Sequence, residues 1–315
     1  MADTVYDVVI VGGGPAGLSC AIYAARGRLS TIVLDRAPTA GSLAYAEKIA
    51  NYPGVHGDIP GADLLSVMRD QAVDFGAVYR KTTVSATDVL SEPKAAYTPD
   101  AVYHGRAIVI ATGSRGRVEK VEGEERYLGR GVSYCAMCDG AFYAEKAAAV
   151  VGYDEVALEE TMFLARFARD VHLICPKSAL EGPVDLMAEV AAASNVTTHL
   201  GKKALRIVGD DFVRGVEVRV RDGGREVIPL DGVFMLLAGN APITDLLGGA
   251  LELDAQGCVD VDCNYQTALP GVYAVGDVTC LHPNQAIIAA AAGVIAALSI
   301  DKYLSGRDRA RVDYL

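Results

Sequence analysis

The hexapeptide Gly12-Gly13-Gly14-Pro15-Ala16-Gly17 constrains this chain more than any other feature, because it stands between a strand and a helix. The apolar run Tyr6–Val11 reads as a buried strand, and residues from about Pro15 to Arg26 carry apolar positions at helical spacing. Thr31–Asp35 reads as a second strand, so the opening predicts a βαβ unit in a parallel sheet. G-x-G-x-x-G in that setting binds a dinucleotide. Gly12 permits the tight turn, Gly14 lets backbone approach a pyrophosphate, and Gly17 lets helix and strand pack closely. Pro15 and Ala16 open the helix, whose free N–H groups and partial positive charge then face the phosphates. Asp35 ends the second strand 21 residues after Gly14, where a carboxylate accepts hydrogen bonds from a ribose.

A second βαβ unit starts about 140 residues later, with strand Ala147–Val151, a helix near Glu155–Arg166 and strand Val171–Ile174. Between the two lie a helix near Gly61–Phe75, short strands from Thr82 to Tyr103 and the apolar strand Ala107–Ala111. After them come short strands from Val196 to Leu230, a strand at Val233–Leu237, another near Val272–Val275 and a long helix from about Asn284 to Tyr303. A length of 315 residues suits two domains. The expected fold is therefore α/β, with two Rossmann-like nucleotide-binding domains: residues 117–243 inserted into an outer domain of 1–116 and 244–315.

Composition narrows the function classes. With 51% hydrophobic and 22% charged residues the chain is not disordered, and a net charge of −11 argues against nucleic acid and against anionic membranes. No uninterrupted apolar run reaches the roughly 18–20 residues of a membrane span; the nearest, Ala286–Ile300, ends in Asp301-Lys302. An odd cysteine count of seven, with no basic leader, points to a reducing, cytoplasmic setting, where a cysteine pair is catalytic more often than structural. Cys135-x-x-Cys138 is such a pair, able to close as a disulfide or open as a dithiol. Zinc is the competing reading, but it needs two more ligands; Cys258 and Cys263 belong to a different segment, and no metal site is expected. The adjacent Asp139 reads either as the acid/base for that dithiol or as a plain helix cap. Cys20, Cys175 and Cys280 read as small buried hydrophobes.

Three segments, Ala111-Thr112-Gly113, Cys135-Ala136-Met137-Cys138-Asp139-Gly140 and Thr267-Ala268-Leu269-Pro270-Gly271-Val272-Tyr273-Ala274-Val275-Gly276-Asp277, resemble the low-molecular-weight bacterial and plant thioredoxin reductases. The resemblance covers nearly the whole chain and includes the order of the motifs. It implies FAD as cofactor, with Gly276 and Asp277 at the ribityl chain and Gln285-Ala286 directing N–H groups at the pyrimidine edge of the flavin. Asn51-Tyr52-Pro53-Gly54 matches a flavin-side loop, and Ala40-Gly41-Ser42-Leu43 stands where the family has a Gly-Gly-Gln flavin contact. The resemblance further implies that Cys138 takes electrons from FAD, that Cys135 attacks a thioredoxin-like partner, that Asp139 moves the proton, and that the chain is a homodimer.

The pattern breaks at the second glycine loop. Where G-x-G-x-x-G/A for NADPH belongs, the chain has Gly152-Tyr153-Asp154-Glu155-Val156-Ala157. A carboxylate about 4 Å from a phosphate charge costs on the order of 4 kcal/mol at an effective dielectric of about 20, close to a thousandfold in affinity at about 1.4 kcal/mol per decade. Asp154 can also cap its own helix and occupy the N–H groups a phosphate needs. The following strand ends in Cys175-Pro176-Lys177, where the family carries arginines for the 2′-phosphate. Weak or absent NADPH binding is expected. The chain resembles members that take electrons from ferredoxin, for whose acidic surface a basic patch would be needed. The candidates are Arg115, Arg117, Lys120, Arg126 and Arg130; Arg166 and Arg169; and the tail arginines Arg307, Arg309 and Arg311. A solvated face is the plain reading of each. Tyr314 could cover the flavin face left by nicotinamide, or belong to a functionless tail. Three alternatives stay open: an ordinary NADPH enzyme with a variant loop, a flavin-bearing redox sensor without turnover, and a second flavin in the inner site.

Overall fold

The computed structural model describes residues 4–37, 42–46, 48–57, 59–115, 120–220, 223–237 and 241–307. In chain order the elements are β1 Val5–Val11, α1 Pro15–Arg26, β2 Thr31–Asp35, α2 Gly61–Asp74, β3 Val78–Lys81, β4 Ala86–Asp88, β5 Lys94–Tyr97, β6 Val102–Ile110 and β7 Ser114–Arg115. Then follow β8 Val132–Ser133, α3 Ala136–Asp139, β9 Ala147–Val151, α4 Glu155–Leu164, β10 Asp170–Cys175, α5 Val184–Ala192, β11 Val196–Leu200, β12 Lys203–Gly209, β13 Val213–Arg219, β14 Arg225–Pro229 and β15 Gly232–Met235. The chain ends with β16 Ala241–Pro242, β17 Val272–Ala274 and α6 Ala286–Ser305. It divides into two compact units, Met1–Arg115 with Asn240–Leu315, and Gly116–Gly239.

In the first unit the strands run β3-β2-β1-β6-β5-β4, with β17 beside the C-terminal half of β6. Strands β3, β2, β1, β6 and β17 are parallel, and β5 and β4 turn back antiparallel. Val8, Val9, Ile10, Ile108, Val109 and Ile110 are buried, as expected for strands covered on both faces. Helix α1 packs against α6 through small residues. A side chain at Gly293 would meet the Ala16 carbonyl at 2.0 Å, so only glycine permits this approach, and one at Gly17 would meet the Gly12 carbonyl at 2.0 Å, where α1 folds back on the loop. Among the described helices α6 is long and apolar enough, by length and composition, to cross a membrane; here Ala292, Ala296, Ala297 and Ile300 are core against α1 and β1.

The second unit has a parallel sheet, β11-β10-β9-β15-β8, and a three-stranded antiparallel sheet, β12-β13-β14. β9 is Ala-Ala-Ala-Val-Val and wholly buried, with α4 packed over it through Ala157 and Leu158. The sequence reading is off in detail here. Helix α4 stops at Leu164, so Arg166 and Arg169 lie beyond it, and α5, which starts after its N-cap Pro183, is an addition to the expected elements.

Candidate functional site

The first glycine loop lies at the C-terminal edge of β1. Gly12 has φ +113°, and a Cβ there would sit 2.3 Å from the Ala111 carbonyl. Gly14 is the N-cap of α1 with no side-chain cap, Pro15 follows it, and a Cβ on Gly14 would meet only open space. The start of α1 therefore offers its N–H groups to something outside the helix. Asp35 closes β2 almost buried and accepts a 2.5 Å hydrogen bond from the Tyr79 hydroxyl. Burial and that carboxylate push the Tyr79 phenol well above its usual range. A Cβ on Gly13 would lie 2.5 Å from the Asp35 carboxylate, so glycine at 13 is what admits the acid beneath the loop.

The other expected flavin residues gather in the same unit. Ala111 ends buried beside β6; Thr112 Oγ1 donates to the Ile243 carbonyl at 2.7 Å, and Gly113 has φ +68°. Gly276 has φ +76° and opens the short turn Gly276–Thr279 after β17, which carries Asp277, whose carboxyl is pushed up by burial. Asn51 Nδ2 donates to Gln285 Oε1 at 3.2 Å, which joins the loop before α2 to the N-cap of α6. Ala286 begins α6, whose N-terminus, like that of α1, has no side-chain cap. Gly41 lies outside the described residues. An open glycine cradle, a nearly buried carboxylate at the end of β2 and two uncapped helix starts are a donor set that fits a dinucleotide with a flavin at one end.

In the second unit, Cys135 and Cys138 form a disulfide across the first turn of α3. Cys135 is the N-cap, and its Sγ accepts the Cys138 N–H at 3.1 Å. Asp139 stands at the N-cap position of the short turn Gly140–Tyr143, but its side chain makes no cap bond there; its Oδ2 accepts the Ser133 hydroxyl at 2.6 Å. Burial raises its carboxyl, and the Ser133 bond opposes this in part. The same Ser133 oxygen accepts the Cys135 N–H at 3.1 Å. Two residues that the sequence did not single out complete the setting. Glu160, from α4, accepts the N–H groups of Ala136 and Met137, and burial raises its carboxyl too. Tyr143 is pushed far up by burial and then by Asp139.

The second glycine loop is filled by its own side chains. Asp154 caps α4 by accepting the Ala157 N–H at 3.1 Å. Lys177 pairs with Glu181 at 2.7 Å and lies 3.7 Å from the centre of the Tyr153 ring. The Glu181 N–H donates to the Tyr153 carbonyl at 2.7 Å, so the segment after β10 is laced onto the loop.

Several of the described basic candidates are engaged with neighbours of their own. Lys120 pairs with Glu125 and Arg169 with Asp170; Arg126 stacks on Tyr127, Arg166 on Phe163, and Arg307 pairs with Asp301. The Arg115 side chain, Arg117, Arg309, Arg311 and Tyr314 lie outside the described residues. Cys20 and Cys175 are free and buried as expected, and burial pushes the Cys20 thiol up to about 12. Cys280 corrects the reading of it as a free buried hydrophobe: it lies at the surface and is bonded to Cys258, leaving Cys263 as an exposed free thiol. No periodicity signals a pair 22 residues apart that only the fold brings together.

The family model for pyridine nucleotide-disulphide oxidoreductases matches residues 6–293. A thioredoxin reductase of Aquifex aeolicus (strain VF5) is 43% identical over 309 residues, covering 98% of this chain and 96% of its own. The crystal structure of thioredoxin reductase from Streptococcus pyogenes MGAS5005 is 33% identical, with TM-score 0.90 over 97% of this chain and 100% of that one. A ferredoxin-flavin thioredoxin reductase from Clostridium acetobutylicum is 30% identical, with TM-score 0.51 over 96% of this chain and 99% of that one.

Proposed function

Since the chain belongs to the pyridine nucleotide-disulphide oxidoreductase family, as a thioredoxin-reductase-like FAD flavoprotein disulfide reductase, we propose that it reduces a thioredoxin-type disulfide with electrons from a donor other than a pyridine nucleotide. The single observation that carries the donor half is the self-filled second loop, where Asp154 holds the helix N–H and Lys177 is engaged by Glu181 and Tyr153. A diphosphate would have to displace a cap, approach a carboxylate and find its cation already paired, three costs of the same sign. The likeness to a ferredoxin-flavin enzyme supports a small iron–sulfur protein as the donor. In this reading the chain works as a homodimer in the cytoplasm.

The loop Gly12–Gly17, Asp35, Asp277 and the start of α6 would hold FAD, which when bound would supply the electron pair for opening the disulfide. The rest belongs to the chain's own residues. Cys138 receives the pair and Cys135 is left as the thiol that attacks the partner's disulfide. Asp139, raised by burial, gives a proton to the leaving sulfur and takes it back. Ser133 orients that carboxyl and holds the Cys135 N–H, fixing acid and sulfur in one frame.

The test is anaerobic reduction of the bound flavin by NADPH, NADH and a reduced ferredoxin, side by side. Bleaching by ferredoxin alone supports the proposal. Prompt bleaching at stoichiometric NADPH restores the ordinary NADPH-dependent reading. Flavin reduced by a donor without any gain of thioredoxin thiols leaves only the sensor.

A further inference from the structure

The Cys258–Cys280 bond lies in the first unit and has no part in the chemistry above. Its two ends are held differently. Cys258 is 1% exposed, donates its N–H to Asp254 Oδ1 at 2.9 Å, and is followed by Val259, whose N–H bonds the Val278 carbonyl at 3.0 Å. Cys280 is at the surface, directly after the Gly276–Thr279 turn, with φ +51°. That is the left-handed region, which costs a side-chain-bearing residue on the order of 1–3 kcal/mol unless its surroundings impose it. The bond therefore ties an anchored segment to the turn that carries Asp277, and it spans a backbone that prefers to relax. Asp277 and Thr279 of that turn line a small cavity together with His282 and Ala289.

We propose that Cys258–Cys280 is a second thiol–disulfide exchange site, opened by a protein dithiol, and that its opening slackens the Asp277 turn and weakens the hold on FAD. The coupling rests on the proposed placement of FAD at Asp277, and the natural reductant would be the thioredoxin-type dithiol that the enzyme itself produces. A thiolate of that dithiol attacks Cys280 Sγ, the exposed end. The Cys258–Cys280 bond breaks, and its electron pair leaves on Cys258 Sγ, which takes up a proton. The second thiol of the donor then resolves the mixed disulfide, releasing Cys280 as a thiol. Two electrons and two protons have moved, and the donor departs as a disulfide. Freed from its tether, residue 280 returns to negative φ, the turn changes course, and the buried Asp277 carboxyl gains water. Accumulated product would thus restrain its own producer.

The experiment uses FAD-loaded protein carrying Cys135→Ser and Cys138→Ser, so that the first disulfide is silent. It is incubated with and without dithiothreitol, alkylated, and read by peptide mass and by fluorescence of released flavin. Without the dithiol, alkylation at the surface reaches Cys263 only. With it, Cys258 and Cys280 become labelled together and FAD leaves about tenfold faster, the equivalent of the backbone relaxation at residue 280. Cys258→Ser with Cys280→Ser should release FAD at the fast rate with no response to dithiol; should that variant not fold, the titration of the parent decides. Labelling of both cysteines before reduction, or reduction with unchanged FAD release, overturns the proposal. The result is independent of the electron donor and of thioredoxin turnover, so the proposed function can fail while this site stands.

Discussion

Glu160 reaches the redox turn from outside it, and its charge has a sign that matters. Its carboxylate takes the N–H groups of Ala136 and Met137, the two donors that would otherwise favour a thiolate at Cys135. An ionised carboxylate at the start of α3 opposes negative charge building up there, so its removal should make a thiolate in that turn easier to form. Glu160→Gln keeps an acceptor for the turn and removes the charge. In a Cys138→Ser background the alkylation rate of Cys135 should then shift by about one pH unit to the acid side. Identical pH profiles, with only a lower melting temperature, would reduce Glu160 to a packing role. Cys135, Cys138 and Asp139 are legible in the sequence because their chemistry lies in five consecutive residues. Glu160 and Tyr79 are not, because each acts through a partner that only the fold supplies: 24 residues separate Ala136 from Glu160, and 44 separate Asp35 from Tyr79.

The same divide runs through the elements. Strands β1 and β9 and helix α1 follow from apolar runs and helical spacing broken by glycine and stand where the sequence places them, and α4 starts where expected but ends two residues early. What spacing does not show is how closely two helices approach. Gly293 reads as one small residue in an alanine-rich run, yet it is the point where α6 meets the backbone of α1 at Ala16. Since Ala16 belongs to the first glycine loop, packing and cofactor hold would be linked there under the proposed placement of FAD. Gly293→Ala would force a Cβ to 2.0 Å from the Ala16 carbonyl and push the helices apart, costing about 1–3 kcal/mol by overpacking. The expected outcome is a lower melting temperature together with weaker FAD retention. Ala291→Ser, on the exposed side of the same helix, should change neither. A Gly293→Ala protein as stable as the parent would mean that α6 can shift without moving the loop.

Charge acts over the molecule as a whole. The chain carries 40 acidic against 29 basic residues, and several of the described cations proposed for donor docking are committed: Lys120 to Glu125, Arg169 to Asp170, Arg307 to Asp301. A paired cation contributes little field beyond about a Debye length of 10 Å at 0.1 M salt, so an approaching acidic carrier meets the net charge of −11. Its encounter with this protein is then slowed by repulsion, and added salt screens that repulsion. Under the proposed donor reading, the second-order rate of flavin reduction by a reduced ferredoxin should rise between low salt and about 0.15 M, where the Debye length has shrunk to about 8 Å. Stopped-flow bleaching at several ionic strengths measures it, and a neutral reductant such as a reduced free flavin gives the rate without charge. A rate that falls with salt would mean attraction, which the paired cations cannot supply; the source would then have to be sought among Arg117, Arg309 and Arg311, and exchanging these for glutamine should abolish the fall.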